Sequence, residues 1–387
     1  MKVFVNCGFA AYWSGIKPDV LDATEGPSCG GGEEAAIRAA TNLKALGHEA
    51  LLHWYGQPGE WRGVKFRSLQ DNMHHDLRST NWDAVVSFSD LRALEWAPKS
   101  SHGRRFFAQQ LNDLWNVGDW GAVDCVISPS ESHGQQLAGW GWRGKPYGVV
   151  HNGCDIEQYR TRLTAVGQDE GFARVMASKH AWDSRPYDVG YWSSPDRGLH
   201  HLLRAWPEVL AAEPRARLHV FYEIDKYLQL VSRATGEYGA RAQELVPLLI
   251  RAKADKSIIF HGQVPRRKLA PIQLQCRVMC YPYDPANFCE GYCGSVNQGI
   301  AAGCLVMTTP KDALPELYED VVYWMKESPL DFPHTLAPQI VQALHGEATN
   351  QNAILGRVSR WKPYTWDMAG AQLDRVIQGL DWKVTGP

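Results

Sequence analysis

The stretch Asn287–Thr309 has the sequence NFCEGYCGSVNQGIAAGCLVMTT, and its pattern decides the fold class. It follows Val278–Pro282, an apolar run that predicts a buried strand ended by proline, because proline cannot donate a hydrogen bond inside a sheet. Ser295–Ala302 then predicts a helix, and Leu305–Met307 predicts the next buried strand. We therefore expect a ligand site where the first strand ends and the helix begins.

The loop before this helix has the composition of such a site. Gly291 and Gly294 let the backbone approach a ligand, and the helix presents its first free N–H groups to it, which favours an anionic phosphate. Glu290 is left beside the site, and Gln298 lies eight positions later. That distance is about two turns of helix, so both side chains can reach one pocket. The alternative for Glu290 is a solvated loop carboxylate.

The first half of the chain alternates apolar runs with amphipathic stretches, which predicts a parallel sheet with helices on both faces. Its predicted strands are Val3–Cys7, Ala50–Trp54, Ala84–Phe88, Phe106–Gln109, Cys125–Ser128 and Gly148–His151. A helix opens at Gly30–Glu33 and ends at Gly47, and its apolar face carries Ala36, Ala40 and Leu43. A loop that leads into a helix N-terminus is again a geometry that binds anions.

The alternation resumes after Tyr159–Tyr187, a stretch without clear periodicity. The predicted strands there are Asp188–Tyr191, Leu218–Phe221, Ile258–Phe260, Val278–Tyr281 and Leu305–Thr308. Near the end, Tyr364–Trp366 leads a helix whose apolar face carries Ala369, Leu373, Val376 and Ile377. A chain of 387 residues suits two domains, which we expect at 1–165 and 185–362, followed by a terminal helical segment, 363–387.

Composition narrows the function. Lys+Arg 40 against Asp+Glu 42 gives a net charge of -2, which offers no electrostatic basis for wholesale nucleic-acid or membrane binding; peripheral membrane contact stays open. No apolar stretch predicts a signal peptide or a membrane span, and nine cysteines are an odd number, typical of reduced thiols, so we expect a cytoplasmic protein. Cys276, Cys280, Cys289 and Cys293 have regular gaps, but the Glu290 loop interrupts them, and we expect no metal.

The segment Glu290–Gln298 resembles the Glu, seven residues, Glu element of family-4 retaining glycosyltransferases. The first Glu of that element lies by the donor sugar, and the second grips the ribose. Glu290 matches the first, whereas Gln298 replaces the second with an amide. Its carbonyl can still accept from a ribose hydroxyl, but it carries no charge.

A second resemblance to the same family lies near the N-terminus. GGGEEAAIRAATNLKALGHEA, Gly30–Ala50, is similar to the family's first loop and helix, in which glycines let the loop approach the phosphate–sugar junction of the donor. The matching positions are Gly30, Gly31, Glu33, Leu43, Gly47 and His48. Asn152–Asp155 resembles the turn that closes the first domain of the family.

The loop Ser193–Leu199 is similar to the family's diphosphate loop, in which a basic residue precedes Gly-Leu. Arg197 fits this position, and a guanidinium suits a diphosphate because it offers several donors and a permanent charge. The alternative is a surface arginine at a helix start. A second cation has no clear match, since Tyr191 and Trp192 stand where the family has arginine; Arg266–Lys268 is another source of positive charge.

The turn Phe260–Val264 resembles the family's loop beside the nucleotide base. Gly262 permits close approach of the backbone, and Gln263 or Val264 can contact a base edge through main-chain groups, without a preference for uracil or guanine.

Many family members carry a histidine on the first domain that contacts the donor sugar. The corresponding run here, Arg105–Asp113, has none, and Gln109, Gln110 or Asn112 can hydrogen-bond a sugar hydroxyl instead.

The resemblance implies the GT-B architecture, an α/β fold of two doubly wound Rossmann-like domains across a cleft, with a C-terminal helix that crosses back to the first domain. It implies a hexosyltransferase that moves a hexose from a UDP- or GDP-sugar to a hydroxyl acceptor, a glycan, lipid or small molecule, with retained configuration and no cofactor. Glu290 and Arg197 are the implied catalytic residues. The implied donor-binding residues are Gly30, Gly31, Gly262, Gln263, Val264, Gly291, Tyr292, Cys293, Gly294, Ser295 and Gln298. The alternatives are a sugar-nucleotide epimerase or phosphorylase, or an inactive nucleotide-sugar-binding protein.

Overall fold

The computed structural model describes most of the chain. The described residues are 1–8, 16–26, 29–68, 71–97, 103–110, 120–160, 182–231, 236–284, 290–326, 334–358, 361 and 363–386. They divide into two compact units. The first comprises Met1–Asp155, Cys289–Gly294 and Tyr364–Pro387, and the second comprises Ile156–Phe288 and Ser295–Pro363.

Strands and helices alternate along both units. The strands are β1 (Lys2–Cys7), β2 (Glu49–Trp54), β3 (Gly59–Trp61), β4 (Val64–Ser68), β5 (Ala84–Phe88), β6 (Arg104–Ala108), β7 (Cys125–Ser128), β8 (Pro146–Val149), β9 (Asp188–Tyr191), β10 (Arg217–Val220), β11 (Ile258–Phe260), β12 (Val278–Tyr281), β13 (Leu305–Thr308), β14 (Tyr323–Trp324) and β15 (Lys383–Val384). The helices are α1 (Gly31–Ala45), α2 (Met73–Ser79), α3 (Arg92–Trp96), α4 (Glu131–Gln136), α5 (Glu157–Arg160), α6 (Leu199–Ala212), α7 (Ile224–Val231), α8 (Gly236–Ala254), α9 (Arg266–Gln273), α10 (Gly294–Ala301), α11 (Leu314–Tyr318), α12 (Leu336–His345), α13 (Gln351–Val358) and α14 (Trp366–Gln378).

The sheet of the first unit has the strand order β15-β8-β7-β6-β5-β1-β2-β4-β3. Its strands are parallel, except that the edge strands β15 and β3 run antiparallel to their neighbours. β1 lies between β2 and β5, with Phe4 paired to Leu51 on one side and to Val85 on the other. The strand order therefore reverses at β1, which defines a doubly wound sheet with a switch point between β1 and β5.

Helices α1 and α14 cover one face of this sheet. The predicted apolar face of α1 is confirmed, because Ala36, Ala40 and Leu43 are fully buried. The predicted terminal helix is also confirmed, and its Leu373 lies in the same core as β1. The two helices approach closely, since a Cβ at Gly370 would lie 2.5 Å from the Cβ of Asn42.

The sheet of the second unit has the order β11-β10-β9-β12-β13-β14, and all its strands are parallel. β9 is the first of these strands in the chain but lies inside the sheet, between β10 and β12. A second switch point therefore falls between β9 and β12, where the connections leave toward opposite sides.

The predicted fold class, two Rossmann-like α/β domains, is confirmed. The strands β5, β7, β9, β11, β12 and β13 have the predicted bounds, whereas β6, β8 and β10 begin and end one or two residues earlier. The hairpin of β3 and β4 was not predicted, because its turn is formed by Arg62 and Gly63, both with positive φ, and arginine gives no turn signal. The two-residue strands β14 and β15 are too short for a periodic pattern.

We expect Leu373→Ala to destabilise the first unit by about 2–5 kcal/mol, because it removes a buried side chain from the core beneath α14. Met368→Ala, on the exposed side of the same helix, is the matched control and should change the free energy of unfolding by less than about 0.5 kcal/mol. Urea unfolding followed by tryptophan fluorescence measures both. Equal effects would show that α14 does not contribute to this core.

Candidate functional site

Arg197 lies at the carboxyl edge of the second sheet. The chain leaves β9 and forms the short 3₁₀ helix Pro195–Arg197, after which Gly198 starts α6 with φ +119°. A Cβ at Gly198 would lie 2.1 Å from the carbonyl oxygen of Pro282, the residue after β12, so only glycine fits this turn. This contact holds the partly buried Arg197 at the switch point between β9 and β12.

The start of α10 is fixed beside the same strand end. Ser295 Oγ donates a hydrogen bond of 3.0 Å to the carbonyl oxygen of Trp192, and Trp192 Nε1 donates one of 2.9 Å to the carbonyl oxygen of Ser295. Trp192 stands where the family resemblance implies a second cation, and its indole N–H holds the helix instead. The first N–H groups of α10 thus lie near the same strand end as Arg197.

Gln298 belongs to a hydrogen-bonded chain of side chains. Gln273 Nε2 donates to Gln298 Oε1 at 3.2 Å, and the hydroxyl of Tyr159 donates to Gln273 Oε1 at 2.7 Å. Gln273 is fully buried. The carbonyl of Gln298, which the sequence offered as an acceptor for a ribose hydroxyl, therefore already accepts a bond. The NH₂ group of Gln298 is available to a ligand, and its carbonyl oxygen keeps one further lone pair.

The predicted base loop follows β11. Gly262 has φ +67°, and Glu223, which follows β10, brings its Oε2 atom to 3.5 Å from the Cβ position of Gly262. Gln263 and Val264 are both partly buried at this edge. The loops after β10 and β11 therefore lie together, as the parallel pairing of the two strands requires.

The described part of the predicted Glu290 loop belongs to the first unit. Glu290 is 3% exposed, and Cys293 is also buried. Gly291 packs tightly, because a Cβ there would lie 2.7 Å from His133 Cδ2. The ring of Tyr292 lies 5.9 Å from the ring of His151. This loop is thus seated on residues that follow β7 and β8, and the chain passes to the second unit between Gly294 and Ser295.

The N-terminus of α1 is occupied by a side chain of its own first turn. The Glu33 carboxyl accepts hydrogen bonds from the backbone N–H groups of Gly30 and Glu33. Burial raises the pKa of Glu33, and these hydrogen bonds oppose the rise. A phosphate at Gly30 and Gly31 would therefore compete with the Glu33 carboxyl for the same donors.

The predicted sugar contacts Gln109 and Gln110 follow the carboxyl end of β6, an interior strand of the first sheet. Gln109 is 1% exposed, and Gln110 Oε1 accepts a bond of 2.9 Å from Asn152 Nδ2. Gln110, Asn152 and His151 line a cavity of about 30 Å³ together with apolar residues of α1 and α14. That volume holds water but not a sugar ring. Asn112 lies outside the described residues.

The sequence interpretation missed a polar cluster behind the second switch point. The carboxylate of Asp284, which follows β12, accepts hydrogen bonds from His201 Nε2 at 3.0 Å and from Lys311 Nζ at 2.8 Å. His200, His201 and Asp284 bring possible metal-ligand atoms within 4.8 Å of one another. The Asp284 carboxylate already accepts from His201 and forms an ion pair with Lys311, however, so its negative charge is balanced without a metal ion. The signal available in the sequence was that Asp284 and Lys311 each follow a predicted strand.

Part of the chain matches a known protein family. Residues 188–345 match the family model described as "Glycosyl transferases group 1", which covers the second sheet from β9 to β14. A comparison with curated protein sequences found no match.

Many solved structures share the fold. A glycosyltransferase from Rickettsia africae ESF-5 is 13% identical with a TM-score of 0.65, and sucrose-phosphate synthase from Thermosynechococcus elongatus is 12% identical with a TM-score of 0.62; each alignment covers 98% of both chains. Anabaena HepE in complex with UDP and glucose is 15% identical with a TM-score of 0.62, over 98% of this chain and all of that one. The fold is thus the GT-B fold, and together with the matched segment it supports a glycosyltransferase.

Among the helices that the structure describes, none has the length and apolarity needed to cross a membrane.

We expect Asp284→Asn to lower the free energy of unfolding at neutral pH by about 2 kcal/mol, because the carboxylate holds two donors. Burial acts to raise the pKa of Asp284, but the hydrogen bonds from His201 and Lys311 outweigh it and lower that pKa well below the ordinary value of 3.8. A lowered pKa adds stability above the unfolded value and loses it below. The difference between variant and wild type should therefore hold from about pH 7 to pH 5 and shrink as the pH falls below 3.8.

Urea unfolding at a series of pH values measures this difference. Asp225→Asn is the control, because Asp225 pairs with Lys253 at an exposed site and should contribute less than about 1 kcal/mol. A difference that is flat to about pH 3 would contradict the assigned role of the carboxylate.

Proposed function

We propose that this protein is a retaining glycosyltransferase that moves a hexose from a nucleotide diphosphate sugar to a hydroxyl acceptor. The observation that carries the proposal is the placement of Arg197 at the switch point of the second sheet, beside the start of α10. The match of residues 188–345 to group 1 glycosyl transferases supports the same reaction class. The acceptor is a glycan, a lipid or a small molecule.

Glycosyl transfer breaks the bond between the sugar C1 atom and a diphosphate oxygen. Negative charge develops on the leaving diphosphate while C1 gains oxocarbenium character, so donors aimed at the diphosphate stabilise the transition state. The guanidinium of Arg197 supplies a permanent charge and several N–H donors. The N–H groups at the start of α10 add the positive end of a helix dipole.

In the retaining reaction that we propose, the acceptor hydroxyl approaches C1 on the face from which the diphosphate leaves. The new C1–O bond forms as the old one breaks, and the hydroxyl proton passes to the departing diphosphate oxygen. Glu290 holds hydroxyl groups of the sugar, and the NH₂ group of Gln298 contacts the ribose. Gly30, Gly31 and the residues from Gly291 to Ser295 line the donor.

The scheme uses no metal ion or other cofactor. We also infer a reducing compartment such as the cytoplasm, which is supported by the cysteines: those that the structure describes are buried free thiols.

We expect Arg197→Ala to weaken the binding of a nucleoside diphosphate by about 10- to 100-fold, because a charge-assisted contact to the diphosphate is lost. Arg197→Lys keeps the charge but not the planar fork, so its loss should be smaller, about three- to tenfold. Calorimetry with GDP and UDP measures these affinities.

The control is Arg204→Ala on helix α6, where the arginine pairs with Glu244 at 2.6 Å. This variant should keep the wild-type affinity for GDP and UDP. Binding of the bare nucleosides should be insensitive to residue 197, since they carry no diphosphate. An affinity that falls equally for nucleoside and nucleoside diphosphate would contradict the diphosphate role of Arg197.

We expect Glu290→Gln to lower turnover by at least about 100-fold with little change in nucleotide affinity, because the carboxylate acts on the sugar and not on the diphosphate. The assay follows labelled UDP- and GDP-sugars with an acceptor panel, and NMR of the product gives the anomeric configuration. Glu319→Gln, at an exposed site, is the control.

Unchanged turnover in Glu290→Gln would contradict a role for this residue in the site. A product with inverted anomeric configuration would contradict the retaining mechanism. Epimerised sugar nucleotide without transfer would identify an epimerase. Nucleotide-sugar binding without turnover across the panel would identify an inactive binding protein.

A further inference from the structure

Three polar side chains form a diagonal across one face of the second sheet. Asp188 begins β9, His219 lies in β10 and His261 directly follows β11. His219 Nε2 lies 3.2 Å from Asp188 Oδ2, and His219 Nδ1 lies 2.9 Å from His261 Nε2. Asp188 and His219 are both buried. The diagonal therefore runs from the amino end of β9 to the carboxyl edge, at the predicted base loop.

This diagonal determines where the protons of the two rings lie when both rings are neutral. The contact of His219 Nε2 with Asp188 is off the axis of an ideal hydrogen bond, yet a lone pair there would face a carboxylate oxygen, so the proton belongs on Nε2. His219 Nδ1 is then an acceptor, and His261 must donate to it from Nε2.

The second ring nitrogen of His261 is consequently an acceptor. Nδ1 is neither hydrogen-bonded nor enclosed among the residues that the structure describes. Burial and, to a smaller extent, the neighbouring His219 together lower the pKa of His261 to about 4, so the ring is neutral at neutral pH. The ring also stacks on Phe221 at 4.3 Å, which fixes its plane.

Glu223 adds a carboxylate at the same place. Its Oε2 atom lies 3.5 Å from the Cβ position of Gly262, the residue next to His261. Glu223 is partly exposed, and its carboxylate has no hydrogen-bond or ion-pair partner among the described residues. The edge beside Gly262 therefore presents three acceptor atoms, two from Glu223 and one from His261.

We propose that the nucleotide of the donor is a guanosine diphosphate, read by the Glu223 carboxylate with His261 Nδ1 as an additional acceptor. This inference rests on the proposed function, because it names the base of the same donor. Guanine alone among the common bases has two adjacent hydrogen-bond donors on one edge, N1–H and the 2-amino group. A carboxylate accepts from both.

The other bases fit this set of acceptors less well. Uracil offers one donor, N3–H, between two carbonyl oxygens, and those oxygens would face the Glu223 carboxylate. Adenine has no ring N–H on that edge, so its N1 lone pair would face an oxygen. Each mismatch leaves a partly desolvated acceptor without a donor, which weakens binding.

The test compares GDP, UDP and inosine diphosphate, which differs from GDP only by the missing 2-amino group. Calorimetry at about pH 8, where an ordinary imidazole is neutral, uses the full chain. GDP should bind at least about tenfold more tightly than UDP or inosine diphosphate. The diphosphate is common to all three, so its contribution cancels.

In the variant Glu223→Gln, the affinities for GDP and inosine diphosphate should differ by less than about threefold, and the affinity for UDP should change by less than about threefold from wild type. Glu208→Gln, an exposed glutamate on α6, is the matched control and should keep the wild-type ratio. His261→Phe keeps the stacking on Phe221 but removes the acceptor, and it should lower GDP affinity by about three- to tenfold. Thermal unfolding checks that each variant is folded.

The possible failures are distinguishable. If wild-type protein binds UDP as tightly as GDP, or more tightly, the guanine inference is overturned and the glycosyltransferase proposal stands. If Glu223→Gln keeps the full GDP-to-inosine-diphosphate ratio, the carboxylate does not read the base, and the inference is again overturned. If no nucleoside diphosphate binds, the proposed function itself fails.

Discussion

The candidate site depends on one constraint, the parallel arrangement of β9 and β12. β9 comes first in its unit yet lies inside the sheet, so the connections on its two sides depart in opposite directions and leave a crevice at the carboxyl edge. The turn at Gly198 closes the base of this crevice against the backbone of Pro282. Because that contact leaves no room for a Cβ, the position of Arg197 is set by the backbone and not by side-chain packing alone.

Two positions for which the family resemblance implied ligand contacts are served by groups of the chain itself. Trp192 stands in place of a cation and its indole N–H donates to Ser295, while the Glu33 carboxyl accepts from the backbone N–H groups of Gly30 and Glu33. Both arrangements satisfy donors or acceptors that a ligand would otherwise satisfy. In the proposed reaction, Arg197 and the N–H groups of α10 stabilise the charge on the leaving diphosphate. Each contributes more than it would in a site with two cations at the diphosphate.

Local patterns predicted the regular parts of this structure, and long-range contacts account for what they missed. Apolar runs such as Val278–Tyr281 predicted buried strands because a parallel sheet covered on both faces requires them. Arg197 and Gly262 lie in loops that follow two such strands, β9 and β11, and therefore at the carboxyl edge of the sheet. The hydrogen-bonded chain at Gln298 was not predictable, since its members Gln273 and Tyr159 lie 25 and 139 positions away from Gln298 and come together only in the folded unit.

The register of the strands links the interior of the second sheet to the chemistry of its edge. His219 is paired with Gly190 of β9 and Ile259 of β11. Asp188 lies two residues before Gly190 and His261 two residues after Ile259, so both side chains are on the same face of the sheet as that of His219. A slip of one residue between β9 and β10 would turn His219 to the opposite face and break the contact with Asp188. His261 would then have no fixed tautomer. In the proposed donor site, base selectivity is therefore a property of the buried pairing of three strands as much as of the loop that touches the base. Chains with the same base loop but another residue at the position of Asp188 or His219 would present different hydrogen-bonding atoms there.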